Sequence, residues 1–196
     1  MSAANSFMST PFIIFTAGRS RSYWLSHFLT YRKYRCWHDK ILEMRTADEL
    51  RDFLSTPNIG MSDSGAALMI VPLLLRTWPT AKRVVVRRPV DDIVESYTML
   101  DGGHPKLRTY VEGLQLLLDL ISSMHDTLTI NFDDLDEEEV CRSIFEHCLS
   151  YPFDRGHWLA LRDQNLTVDI IEYAKYIRAN SYRIASFLRE AQWPLQ

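Results

Sequence analysis

The residues best suited to chemistry lie together near the start of the chain, in Gly18-Arg19-Ser20-Arg21-Ser22-Tyr23. Small and hydroxyl residues alternate there with two arginines. Backbone N–H groups in such a loop can cradle an anion, and the flanking guanidinium forks suit phosphate or sulfate oxygens. A second basic pair, Arg87-Arg88, precedes Pro89, and Ser96 follows within one helical stretch. An arginine at a strand end and a helix hydroxyl can hold a second anionic group away from the first. Two candidates for proton transfer stand between these segments. His38 has the side chain best matched to work near neutrality, and Asp63 would need a raised pKa to do the same. The spacing Gly-x-x-x-x-Gly-Lys-Ser/Thr of nucleotide-triphosphate loops is absent, because no lysine precedes Ser22.

The elements that must position these residues follow from hydrophobic periodicity. Apolar or β-branched runs predict strands at Phe12–Thr16, Tyr34–His38, Asn58–Ser62, Arg83–Arg87 and Leu128–Phe132. Helices are predicted after Ser22, after the capping box Thr46-Ala-Asp-Glu49, near Ala66–Trp78, where Pro72 either crosses the helix or starts it, and after Pro89. Longer amphipathic runs cover Leu107–Met124, Glu137–Leu149 and Val168–Ala191. Strands alternating with helices imply an α/β fold: a three-layer sandwich on a central, mostly parallel five-stranded sheet. Ligands of such sheets bind beyond the carboxyl ends of the strands. That rule gathers Gly18, His38, Asp63 and Arg87/Arg88 around one crevice.

Composition sets the frame. The 196 residues suit one domain, with 1–10 as a flexible N-terminus and 162–196 as a C-terminal helical segment. A net charge of −3 argues against a general nucleic-acid binder but not against a local basic pocket. No apolar run reaches the roughly 18 residues a membrane helix needs, and Met1–Thr10 lacks the regions of a signal peptide. The three cysteines, Cys36, Cys141 and Cys148, show neither metal-ligand spacing nor a disulfide framework. They fit a reducing cytoplasm, and no metal site is expected. The acidic run Asp133–Glu139 reads as a solvated helix start. The Tyr/Ile stripe of Val168–Ala191 reads as either core or a homodimer interface.

Taken together, the segments resemble the sulfotransferase family, and among its members the compact bacterial and phage proteins. Gly18-Arg19-Ser20-Arg21-Ser22-Tyr23-Trp24 is similar to the family's phosphosulfate loop, written Pro-Lys-Ser-Gly-Thr-Thr-Trp in many members. Arg87-Arg88-Pro89 with Ser96 resembles its 3′-phosphate element. Ile130-Asn-Phe-Asp-Asp-Leu135 resembles its Tyr-Glu-Asp-Leu segment. The resemblance implies a P-loop fold that binds 3′-phosphoadenosine 5′-phosphosulfate, releases the 3′,5′-bisphosphate, and transfers a sulfuryl group to a hydroxyl or amine acceptor. It implies that Arg19 steadies the bridging oxygen and that the Ser20–Tyr23 amides and the Ser22 hydroxyl hold the 5′-phosphate. Ser96 and an arginine would hold the 3′-phosphate. Ser96 lies nine residues after Arg87 and eight after Arg88, which leaves the choice of arginine open. Arg21 stands where the family usually has glycine, and its catalytic histidine segment has no counterpart near Asp63. His38 and Asp63 are the candidates for the base, if one is kept. Two other readings stay open: a small P-loop kinase, for which Asp63 would serve as a metal ligand, and a non-catalytic nucleotide-binding protein on the same fold.

Overall fold

The computed structural model describes residues 10–101, 103–166 and 168–192. The expected flexible N-terminus therefore lies outside the described residues except for Thr10, as do residues 193–196 of the C-terminal segment. Five strands alternate with helices: β1 Phe12–Thr16, α1 Ser22–Phe28, β2 Arg35–His38, α2 Ala47–Leu54, β3 Ile59–Asp63, α3 Ala66–Met69, α4 Val71–Thr77, β4 Lys82–Arg87, α5 Val90–Asp101, α6 Leu107–Ser122, β5 Thr127–Asn131, α7 Glu138–Cys148, α8 Arg155–Arg162 and α9 Ile170–Gln192. Short 3₁₀ turns, Lys40–Glu43 and Phe132–Asp136, follow β2 and β5.

The sheet order is β2-β3-β1-β4-β5, and every neighbouring pair is parallel. The expectation of a mostly parallel sheet becomes an entirely parallel one. The period of two along β1 divides the core. Phe12 and Ile14 face one layer with Val84, Val86, Trp24, Phe28 and Phe145. Ile13 and Phe15 face the other, with Val85, Leu50, Leu74 and Leu118. Helices α1, α7 and α8 thus cover one face, and α2 to α6 with α9 cover the other. Each fully buried Leu, Ile or Phe contributes roughly 1.5–3 kcal/mol to holding the layers together.

Local signals explain the element ends. Thr46 Oγ1 accepts a hydrogen bond from Glu49 N–H at 3.2 Å, and the Glu49 carboxylate accepts from Arg45 N–H at 2.7 Å. The predicted capping box is present, reaching back one residue further than the N-cap. Over Ala66–Trp78 the chain forms two helices broken at Ile70, and Pro72 stands in the first turn of α4, as expected of a helix start there. Helix α8 was not foreseen. Its start is the side chain of Asp154, which accepts from His157 N–H at 3.0 Å. Gly60 pairs with Phe12 across β3 and β1, and a Cβ there would run into the Phe12 ring.

β1 lies between β3 and β4. After β1 the chain passes to α1 on one face, and after β3 it passes to α3 on the other. The connections diverge at adjacent carboxyl ends, which opens a crevice there. No helix among the described residues is long and apolar enough to cross a membrane.

Candidate functional site

The loop from β1 to α1 is held in a shape that ordinary side chains resist. Gly18, Arg19 and Arg21 have φ of 80°, 51° and 58°, a left-handed region that costs non-glycine residues roughly 1 kcal/mol or more each. Surrounding contacts compensate. Thr16 Oγ1 accepts from Gly18 N–H and donates to the Asp63 carbonyl; Ser20 Oγ donates to the Gly18 carbonyl; Ser62 Oγ donates to the Ser22 carbonyl. Gly18 sits against Tyr97 and the Ser64 carbonyl, where a Cβ has no room.

The loop opens on a cavity of about 910 Å³ whose wall includes Arg19, Arg21, Ser22, His38, Arg88 and Tyr173. Each arginine is aimed by a different element. Arg19 Nε donates to Ser96 Oγ on α5 at 2.9 Å. Arg88 donates to the Arg19 carbonyl, lies 4.3 Å from the Phe132 ring centroid, and has its own carbonyl bonded by Gln115. Its Nε is buried with no partner among the described residues. Arg21 donates to Asp136 at 2.6 Å.

His38 ends β2 with Nε2 3.0 Å from Ser22 Oγ. The Tyr23 ring packs edge-on against the imidazole, with centroids 5.2 Å apart. Burial lowers the His38 pKa; Asp39 opposes this and His27 adds to it. Burial thus favours the neutral imidazole. Alternation along a strand would send Asp39 to the opposite face. β2 ends at His38, however, and Asp39 turns left-handed at φ 48°. Its Oδ2 comes to 3.5 Å from His38 Nε2. The buried Asp39 carboxylate also accepts from Ser64 N–H, Ser64 Oγ and Tyr173 Oη, all within 2.8 Å. Burial and the Asp39 charge raise the Tyr173 pKa.

The other sequence candidates are placed differently. Asp63 is fully buried and does not line the cavity. Its Oδ1 accepts from Gly65 N–H and Ala67 N–H at the start of α3, and burial, reinforced by Asp39, lifts its pKa to about 7. The crevice expectation is corrected here: Ser64, not Asp63, reaches the wall, because the Asp63 side chain turns inward to cap a helix. Arg87 pairs with Asp119 and lines a separate hollow of about 380 Å³, whereas Arg88 lines both. Alternation at the end of β4 separates the two arginines. Ser96 touches the site through Arg19. Ser20 turns its hydroxyl inward, so its contribution to the wall is the backbone around it.

Contributors not read from the sequence as site residues include Ser64, Phe132, Asp136, Tyr173 and the segment 162–166. Asp136 belongs to the acidic run that reads as a solvated helix start; one of its carboxylates instead meets Arg21. Tyr173 meets a residue 134 positions earlier, and no local pattern reports such a pairing. Among the described residues, no group of three or more His, Cys, Asp or Glu side chains is arranged to hold a metal. His147 and His157 face backbone carbonyls, of Arg83 and Phe28, His104 accepts from Lys106 N–H, and His125 pairs with the Asp126 carboxylate; none of the four lines the cavity.

Fold and site define an all-parallel α/β protein with an arginine-walled cavity at the carboxyl ends of its strands. Neither a family model, nor a curated protein, nor a solved structure matches the chain.

Proposed function

We propose that the chain is a sulfotransferase that takes 3′-phosphoadenosine 5′-phosphosulfate as donor and a hydroxyl or amine compound as acceptor. The observation that carries this reading is the convergence of Arg19, Arg21 and Arg88 with the Ser22–His38 pair on one cavity. The unpartnered, buried Nε of Arg88 fits an anionic ligand, because a buried donor without an acceptor is costly. The donor supplies an activated sulfuryl group. Arg19 is placed to stabilise charge on the leaving oxygen, as preorganised donors do. Arg88 is the better candidate for the second phosphate, since Arg87 is engaged with Asp119 away from the main cavity. His38 takes the acceptor proton at Nε2, and the Asp39 carboxylate 3.5 Å away stabilises the imidazolium that forms.

The kinase reading has less support. Its loop lysine is absent, and Asp63 is committed to capping α3. Calorimetric titration with 3′-phosphoadenosine 5′-phosphate, beside ATP with and without Mg²⁺, separates the readings. We expect metal-independent bisphosphate binding that falls about tenfold or more in Arg88→Ala and less in Arg87→Ala. Tighter, Mg²⁺-dependent ATP binding would replace this proposal with the kinase reading. Binding without turnover over a broad acceptor panel would favour the non-catalytic one.

A further inference from the structure

Positive charge is unevenly spread along the chain. Residues 19–45 hold seven Lys/Arg against two Asp/Glu, although the whole chain has 22 against 25. Beyond the loop arginines, this surplus follows β2, an outer strand of the sheet. Arg32, Lys33 and Arg35 are exposed, and Trp37 is 39% exposed. The cations sit against aromatic rings. Arg32 lies 5.3 and 5.0 Å from the Tyr31 and Tyr151 centroids, Arg35 5.8 Å from Trp37, and Lys40 4.7 Å from Trp37. Among the described residues no carboxylate pairs with Arg32, Lys33 or Arg35, while Lys40 also meets Glu43.

Charged edge strands often serve only to prevent strand pairing. Here the backbone edge is already closed at its middle, because Thr30 Oγ1 accepts from Cys36 N–H and donates to the Cys36 carbonyl. A ligand on this edge must be held by side chains. Arg35 and Trp37 project to the same side, about 7 Å apart. A row of cations interleaved with aromatic rings suits a linear polyanion with planar groups: the cations follow its backbone, and rings and guanidinium planes take its bases. Acidic peptides, anionic glycans and anionic lipids offer the charge without the planar π-faces.

We propose that the β2 edge, through Arg32, Lys33, Arg35, Trp37 and Lys40, binds single-stranded nucleic acid. The negative net charge of the chain still opposes general nucleic-acid binding, so the contact is short and salt-sensitive. It is independent of the sulfotransferase reading.

Fluorescence anisotropy of labelled oligo-dT and oligo-U with the whole chain tests this. Phosphate contacts from Arg32, Lys33 and Arg35, with Lys40 already paired to Glu43, predict a log–log salt slope of about −2, at about 0.7 per contact on single strands. The exposed double change Lys33→Glu/Arg35→Glu should weaken binding at least about tenfold and flatten the slope. Trp37→Ala should weaken it about fivefold or more at an unchanged slope. Arg178→Glu, an exposed charge reversal on α9, should leave it unchanged. Melting temperatures of the variants check that all remain folded. The proposal is overturned by any of four results: no oligonucleotide binding at low salt, an equal loss in Arg178→Glu, no effect of Trp37→Ala, or tighter binding to polyglutamate, a sulfated glycan or phosphatidylserine vesicles.

Discussion

Replacing Asp63 with asparagine should change the pH dependence of stability rather than the ligand site. The Asp63 carboxyl ends β3 with no exposed surface. One oxygen accepts two backbone N–H bonds, and the other is buried without a partner among the described residues. Burial and the neighbouring Asp39 charge raise its pKa from 3.8 to about 7. The folded-state pKa lies above the unfolded one, so between these values the native chain keeps a proton that the unfolded chain has lost. The contribution to stability is complete below about pH 4, declines as pH rises, and is lost once pH passes about 7. At 1.36 kcal/mol per unit, the amplitude is on the order of 4 kcal/mol. Asparagine keeps the accepting oxygen and has no charge to lose. Urea denaturation of wild type and Asp63→Asn between about pH 4 and 8 reads the effect of Asp63 together with its coupling to Asp39, because the titrating groups remote from this pair are common to both. The stability difference should move toward the variant with rising pH by that amplitude. A difference that stays constant across the range would refute the reasoning. The variant should also bind the bisphosphate as wild type does. Loss of turnover with an unchanged stability profile would instead restore Asp63 as a base.

Gly60→Ala should destabilise the fold by about 1–3 kcal/mol, because a Cβ at that position overlaps the buried Phe12 ring; a shift in denaturation midpoint measures it, and an unchanged midpoint would mean β3 moves freely from β1. His38 should titrate below the ordinary histidine value by NMR, since burial dominates its environment. Asp39→Asn should lower that pKa further, because the Asp39 charge acts to raise it; no change would show that Asp39 does not act on the imidazole.

Much of the fold was legible in the residues. Alternation of short β-branched runs with amphipathic helices sufficed for five strands within a residue or so of their positions, and β1 Phe12–Thr16 coincides with its expected range. Turn chemistry was harder. Pro72 marks the start of α4 but gives no sign of the separate four-residue α3, and α8 starts from one Asp154 cap just after Pro152. Of the site, the loop residues, His38 and Arg88 were recognisable by type and position, while Asp63 has the right chemistry in the wrong place.

The chain by itself determined what is local: which segments are extended or helical, and where arginines and hydroxyls cluster. Those properties follow from side-chain shape and near-neighbour hydrogen bonding. Only the tertiary structure decided which of two adjacent arginines meets the loop, that Asp39 turns back onto His38, and that Tyr173 from the last helix and Asp136 from the acidic run complete the wall. Each of those choices depends on register, strand ends and contacts between residues far apart in sequence. A strand shifted by one residue would exchange Arg87 for Arg88 and reverse the outcome.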